Sequence, residues 1–299
     1  MVGASGFLGQ HVVGALEGAG HRVLGTSLSG GYGTVVYALG EPLPPEIGVF
    51  APEAVVDLAW EGIPDFSLER CRANVDGQAA LIDEVVAIES VRRLVIAGTC
   101  REYGDAVGLA MGMVIPVDDF GRAKDEVHRL AIERCKRSDI ALTWFRIFYV
   151  YGPGQRSGSL LPSVIADLAS AGEPRVRDRA VAHDFVEVSD VAQAFVCSLE
   201  SSGRHDVLDL GSGILVDVGT VVDLATRIAR GEEPVTGLAG ERAVADRRSI
   251  HADVARTSSV LGWRPFVRLE AGIRQMVEAV GSRDARLRCA SGDERGTMR

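Results

Sequence analysis

At 299 residues and 46% hydrophobic content, the chain can bury a large core as one big or two modest domains. A net charge of −9, with Lys and Arg scattered rather than striped, argues against nucleic-acid binding. No apolar run approaches the ~18–20 residues of a membrane span, and Cys71, Cys100, Cys135, Cys197 and Cys289 form no C-x-x-C pair, against a disulfide framework or a zinc site. A reducing, cytoplasmic setting is expected, with no secretory signal ahead of the first motif.

That motif is Met1-Val2-Gly3-Ala4-Ser5-Gly6-Phe7-Leu8-Gly9. Glycines three apart let a strand turn tightly into a helix and let a pyrophosphate approach backbone N–H groups at the helix N-terminus. Such a loop follows a strand, and only Met1 and Val2 are available to supply it. A short helix is predicted over His11–Gly20, with Val12, Val13 and Leu16 on one face, then a strand over Arg22–Thr26. Further strands are predicted at Ala54–Ala59, Arg93–Ala97 and Ala141–Phe148, separated by helices at Ser67–Ile88 and Gly121–Lys136. This alternation predicts an α/β fold, a doubly wound parallel Rossmann sheet with helices on both faces and a truncated first strand. Ligands then belong at the carboxyl ends of the strands.

Beyond Tyr151-Gly152-Pro153-Gly154 the pattern shortens, with helices predicted at Leu160–Ala171, Val188–Leu199, Val216–Ala229 and Leu269–Val280. The expected division is a dinucleotide-binding domain over 1–155, borrowing about 184–213, and a smaller α/β substrate domain over 156–281. The charged stretch from Ser282 to Arg299 reads as a disordered tail.

Two constellations carry chemistry. Gly98-Thr99-Cys100-Arg101-Glu102-Tyr103-Gly104 follows the strand Leu94-Val95-Ile96-Ala97, so Thr99 faces the crevice at a strand's carboxyl end. Phe120-Gly121-Arg122-Ala123-Lys124 opens a helix, and Lys124 points back along one helical face.

Taken with Asp57-Leu58-Ala59, Asn74-Val75-Asp76-Gly77, Arg146–Gly154, His183–Val188 and Leu261-Gly262-Trp263-Arg264-Pro265, these motifs resemble the extended short-chain dehydrogenase/reductase family, in its nucleotide-sugar epimerase, dehydratase and reductase branch. The likeness runs from Gly3 to about Val280. Leu58-Ala59-Trp60-Glu61-Gly62, Gly98–Gly104 and Phe148–Gly152 look most like the dTDP-6-deoxy-L-talose 4-dehydrogenase group, which interconverts a 4-keto and a 4-hydroxy 6-deoxyhexose.

The resemblance implies roles. Thr99 falls on the catalytic Ser/Thr that hydrogen-bonds the C4 oxygen, and Lys124 on the lysine that binds the nicotinamide ribose. Phe120 falls on the acid/base tyrosine, and phenylalanine has no proton to exchange. Acid–base help is worth ~10²–10⁴-fold, so conventional turnover is expected to suffer while cofactor binding survives. Tyr103, Glu102, Asp118, Asp119, Cys100 or a water ordered by Thr99 and Lys124 stand as substitutes. Gly3, Ser5, Gly6, Phe7, Leu8, Ser27, Leu58, Ala59, Trp60, Asn74, Lys124 and Phe148 match cofactor positions. Thr26 and Ser27 at the second strand's end permit NAD or NADP. Cys100-Arg101 replaces the Asp-Glu pair of the dehydratases, which argues against dehydration. Tyr149 and His183 join Thr99 as substrate-binding positions. His183 stands where the family often has an arginine on the nucleotide diphosphate, and Arg156, Arg175, Arg177, Arg179, Arg247 or Arg248 are candidates to compensate.

The implied ligand is a nucleotide-diphosphate sugar, and the implied assembly a homodimer through two helices. Three functions stay open: a C4 oxidoreductase, a catalytically impaired NAD(P)-binding relative, and a nucleotide-sugar 4-epimerase. The resembled fold also sets the first strand between Arg22–Thr26 and Arg93–Ala97. Either the true start lies upstream, or the sheet has a shortened central strand whose exposed ladder groups leave it marginally stable.

Overall fold

The computed structural model describes residues 1–31, 33–111, 114–170, 172–201, 203–204, 207–232 and 249–292, with side chains up to residue 280. The glycine loop leads into α1 (Phe7–Gly18), followed by β1 (Gly25–Ser27), β2 (Thr34–Val36), α2 (Pro45–Phe50) and β3 (Ala54–Asp57). Then come α3 (Leu68–Val86), β4 (Arg93–Thr99), β5 (Gly108–Leu109), α4 (Asp119–Arg137) and β6 (Ala141–Ile147). The chain continues through β7 (Tyr149–Tyr151), α5 (Leu160–Ala169), β8 (Ala182–Glu187), α6 (Val188–Glu200) and β9 (Val207–Leu210). It closes with β10 (Leu215–Asp217), α7 (Val218–Ala229), β11 (Ile250–His251), α8 (Val254–Leu261) and α9 (Leu269–Gly292).

β3, β4, β6 and β9 lie side by side in that order, all parallel, and β1 pairs parallel with β2. Met1–Ala4 ties the two groups into one sheet. The Val2 N–H donates to Val56 O (2.8 Å) and the Leu58 N–H to Val2 O (3.1 Å). On the other side, the Thr26 N–H donates to Met1 O (2.8 Å) and the Ala4 N–H to Thr26 O (2.9 Å). The first strand therefore runs between β1 and β3, which corrects the expectation that the Arg93–Ala97 strand is its neighbour. β3 intervenes, bonded to Val2 on one edge and to β4 on the other.

Two cores cover the sheet. Leu81 and Ile82 of α3 and Val127 of α4 pack with Leu94, Ile96 and Trp144 on one face. Val12 and Leu16 of α1 and Phe195 of α6 pack with Val95, Phe145 and Leu208 on the other. Strand alternation explains the split: in β6, which is buried throughout, Leu142 and Trp144 point one way and Phe145 and Ile147 the other. A second small sheet, β10-β8-β7, joins α5, α7 and α9 around Leu161, Val221, Val222 and Ile273. Helical backbone in α9 continues to Gly292, through the first part of the stretch read as a disordered tail; 293–299 lie outside the described residues. No described helix is long and apolar enough to cross a membrane.

Candidate active site

The glycine loop sits hard against the end of β3. Gly3 has φ +79, and a Cβ there would come within 3.1 Å of Ala59 N and 3.2 Å of Leu58 C. A Cβ on Gly9 would run into the carbonyl oxygen of Gly3. Glycine is required for α1 to start this close to the strand. Gly6 caps α1 without a side-chain hydrogen bond, and no acidic residue occupies the first turn. The first N–H groups of the helix, on Phe7 and Leu8, therefore stay open toward an anion.

Trp60 and Asn74 are brought to the same crevice in different ways. The Asn74 Oδ1 accepts from the Glu61 N–H (2.7 Å), and its Nδ2 donates to the carbonyls of Glu61 (3.0 Å) and Arg70 (2.9 Å). Its amide is thus spent pinning the turn that follows Trp60. The Ser27 hydroxyl is also engaged, 3.0 Å from Thr34 Oγ1 and accepting from the Gly30 N–H at 3.1 Å. Ser5 is exposed. Phe148 is buried in a small cluster with Cys100 and Tyr103.

Thr99 is the last residue of β4, two residues beyond the predicted strand end. Its N–H donates to Glu102 Oε1 (2.8 Å), and its Oγ1 accepts from the Arg101 N–H (3.3 Å), closing a capping box on the turn Cys100–Tyr103. Glu102 is held in turn by Arg146 Nε (2.8 Å) and Trp144 Nε1 (3.0 Å). Tyr103 donates its hydroxyl to Asp209 (2.8 Å), and burial pushes the Cys100 thiol up to about 12. Glu102 and Tyr103 thus have structural partners and present no free group to a substrate. Asp118 caps α4 through the Gly121 N–H (2.8 Å) and holds Arg101 Nε (2.9 Å), while Asp119 lies 3.4 Å from Arg122.

Lys124 reaches back from α4 to β4. Its Nζ donates to Ala97 O (2.8 Å), two residues before Thr99, and lies 4.3 Å from the centre of the Trp60 ring. Burial lowers its pKa to about 8, opposed by Asp57 and Glu102. Asp57 stands in a motif the sequence shows, but sequence reasoning gave it no role of its own. It is buried at the end of β3, with Oδ1 accepting from the Ala59 N–H (2.9 Å) and Oδ2 without a hydrogen-bond partner. Burial pushes its carboxyl up, and Lys124 is among the groups pulling the other way. Phe120 packs edge-on to Trp60 (5.2 Å) and against Phe66 (4.6 Å). The Arg101 guanidinium lies over both Phe66 (5.2 Å) and Phe120 (5.3 Å). Hydrocarbon and one cation thus surround Phe120.

A cavity of about 630 Å³ has a lining that includes Tyr149, His183, Arg156, Arg175 and Arg177. Tyr149 and His183 stack at 3.7 Å, and burial lowers His183 to about 4, so the imidazole is neutral near pH 7. Arg179 is drawn away to Asp223 (2.6 Å) and does not line the cavity; Arg247 and Arg248 lie outside the described residues. Asp184 faces away, accepting from the N–H groups of Ser212, Gly213 and Ala252. No group of metal-ligating side chains occurs among the described residues.

Residues 1–211 match the model of the NAD dependent epimerase/dehydratase family. The chain is similar to a dTDP-6-deoxy-L-talose 4-dehydrogenase (NAD(P)(+)) of Kitasatospora kifunensis, 27% identical over 69% of this chain and 68% of the relative. It is 30% identical to a dTDP-L-rhamnose 4-epimerase of Burkholderia thailandensis over 76% of this chain and 74% of the relative. Among solved structures, MoeE5 in complex with UDP-glucuronic acid and NAD superposes with a TM-score of 0.79 at 28% identity, covering 94% of this chain and 98% of that one.

Proposed function

Because this chain belongs to the NAD dependent epimerase/dehydratase family, we propose that it is an NAD(P)-dependent nucleotide-sugar oxidoreductase acting at C4 of a 4-keto/4-hydroxy 6-deoxyhexose. The observation that carries the reading is the convergence of Thr99 and Lys124 on the carboxyl end of β4, with Lys124 anchored on Ala97 O. The glycine loop fits a dinucleotide, since its closest approaches leave no room for a Cβ and the α1 N-terminus is uncapped by any side chain. Gly3, Gly6, Phe7 and Leu8 would hold the pyrophosphate and Lys124 the nicotinamide ribose. The bound cofactor donates or accepts the hydride. Thr99 orients the C4 oxygen, and buried Lys124 supplies positive charge beside it. Arg156, Arg175 and Arg177 give the cavity the cationic lining that a nucleotide diphosphate needs, which His183 does not provide. The activities of the Kitasatospora kifunensis and Burkholderia thailandensis relatives on dTDP-linked 6-deoxy sugars support this substrate class.

The test is incubation with NADH or NADPH and dTDP-4-keto-6-deoxyhexoses, for the wild type and Phe120→Tyr. Turnover is expected in the wild type and faster turnover in the variant; no turnover in either form contradicts the reading. Phe120 under Phe66 and Arg101 favours a second reading, an impaired relative that binds NAD(P) and does not turn over. Calorimetric binding of the dinucleotide with a silent wild type would establish it. A 4-epimerase, the activity of the Burkholderia thailandensis relative, would change C4 stereochemistry with no net change in nicotinamide absorbance. The same reading gives a homodimer through α3 and α4, which pack together and expose Leu68 (53%) and Ile132 (41%).

A further inference from the structure

A reduction at C4 needs a proton for the sugar oxygen, and Phe120 cannot give one. The chain has five tyrosines. Tyr103 is committed to Asp209, Tyr151 is buried with its hydroxyl 3.5 Å from Leu269 O, and Tyr37 is buried in the α3/α4 core; Tyr32 lies outside the described residues. Tyr149 differs from the three described others. It is 41% exposed, and among the described residues its hydroxyl has no hydrogen-bond partner; its contacts are ring contacts to His183 and Phe185.

Its place in the fold points to the reacting centre. Thr99 and Ile147 are register partners in β4 and β6. Tyr149 stands two residues beyond Ile147, where the chain leaves the main sheet to pair with β8. Strand spacing and rise put the Thr99 and Tyr149 Cα atoms at most about 12 Å apart, a span that a sugar ring and a phenol together can fill. Tyr149 also lines the 630 Å³ cavity. Cys100, Arg101 and Asp118 act electrostatically on its hydroxyl from the catalytic turn and the start of α4, and neutral His183 covers its face. The phenol is thus the titratable group shared by the Thr99 edge and the cavity.

We propose that Tyr149 is the proton donor to O4 of the sugar, in the role that Phe120 vacates. The proposal rests on the C4 reading above. As C4 accepts a hydride from a reduced nicotinamide, the carbonyl π pair moves to O4, and O4 takes the Tyr149 proton as the phenolic O–H bond breaks. The sugar carbonyl is reduced and the nicotinamide oxidised. Solvent reprotonates the phenolate through the exposed side of the residue. Partial burial raises its pKa above that of a free phenol, so it stays protonated through the neutral range.

The test compares wild type, Tyr149→Phe, Phe120→Tyr and the double variant by kcat, by calorimetric affinity for the nucleotide sugar, and by tyrosine difference absorbance. Tyr149→Phe is expected to lose about 10²–10⁴-fold in kcat, a loss much larger than any accompanying loss of affinity. The double variant, with its phenol restored beside Lys124, is expected to recover. Binding of the nucleotide sugar to cofactor-free protein is expected to perturb tyrosine absorbance in the wild type and not in Tyr149→Phe. Undiminished kcat in Tyr149→Phe, a loss explained entirely by weaker binding, or an unaltered absorbance difference overturns the proposal. Turnover by Phe120→Tyr with a silent wild type overturns it while leaving the C4 reading intact; silence in both overturns both.

Discussion

At the scale of the residue, the site separates groups that hold from groups that act. Glu102, Asn74 and Asp184 are buried polar residues whose atoms are committed to backbone or to charged neighbours, so their substitution removes support rather than chemistry. Glu102→Gln should weaken the Arg146 pair and lower the melting temperature with little direct effect on kcat, whereas Thr99→Ala should lower kcat by about 10²–10³-fold, out of proportion to the modest fall in melting temperature that its lost cap brings. Thermal melts beside initial rates distinguish the two. Buried histidines add a pH dependence. His128, stacked on Trp144, and His183 are both lowered to about 4 by burial, from 6.5. Between those values the unfolded chain binds more protons than the folded one, so their share of stability is complete above about 6.5 and is lost as pH falls toward 4. Asp209, raised to about 6, acts in the opposite sense. Comparing wild type with His128→Gln from pH 7 to pH 5 isolates the histidine: the wild type should lose more stability over that interval, and parallel curves would contradict this. At this scale the sequence was partly legible. Thr99 with Glu102 three residues on is a visible capping pattern, but the commitment of Asn74 and the orphaned Asp57 oxygen depend on neighbours distant in the chain.

At the scale of the element, alternation of apolar strands and amphipathic helices exposed most of the main sheet, since each element carries its own periodicity. The errors lie where pairing is long-range. The neighbour of Met1–Ala4 was misassigned because strand order is not a local property. The pairing of β8 with β7 and β10 and the β5–β11 pair went unread, because β5, β7, β10 and β11 are two- or three-residue strands with no period to detect. In β3 and around β1, the even-numbered residues face Met1–Ala4, as Val56, Leu24 and Thr26 do.

At the scale of the whole molecule, two bodies of structure meet at the carboxyl end of the sheet. The Rossmann sheet contributes the glycine loop, Thr99 and Lys124, and the smaller sheet contributes His183, with Tyr149 at the junction between them. The motifs identified the family because each lies in one short segment. Their convergence, and the arginines of the cavity, became legible only once the chain had returned through β8. For the proposed dimer through α3 and α4, Leu68→Asp with Ile132→Asp should shift the protein to monomer in sedimentation velocity; a monomeric wild type or an unaltered sedimentation coefficient would contradict that interface. The central claim, hydride chemistry at C4 of a nucleotide sugar, is tested most directly by supplying a dTDP-4-keto-6-deoxyhexose with nicotinamide cofactor deuterated at its transferable hydrogen and locating the label by NMR. Deuterium at C4 of the product sugar is the predicted result; label at any other carbon, or none in the sugar, would contradict it.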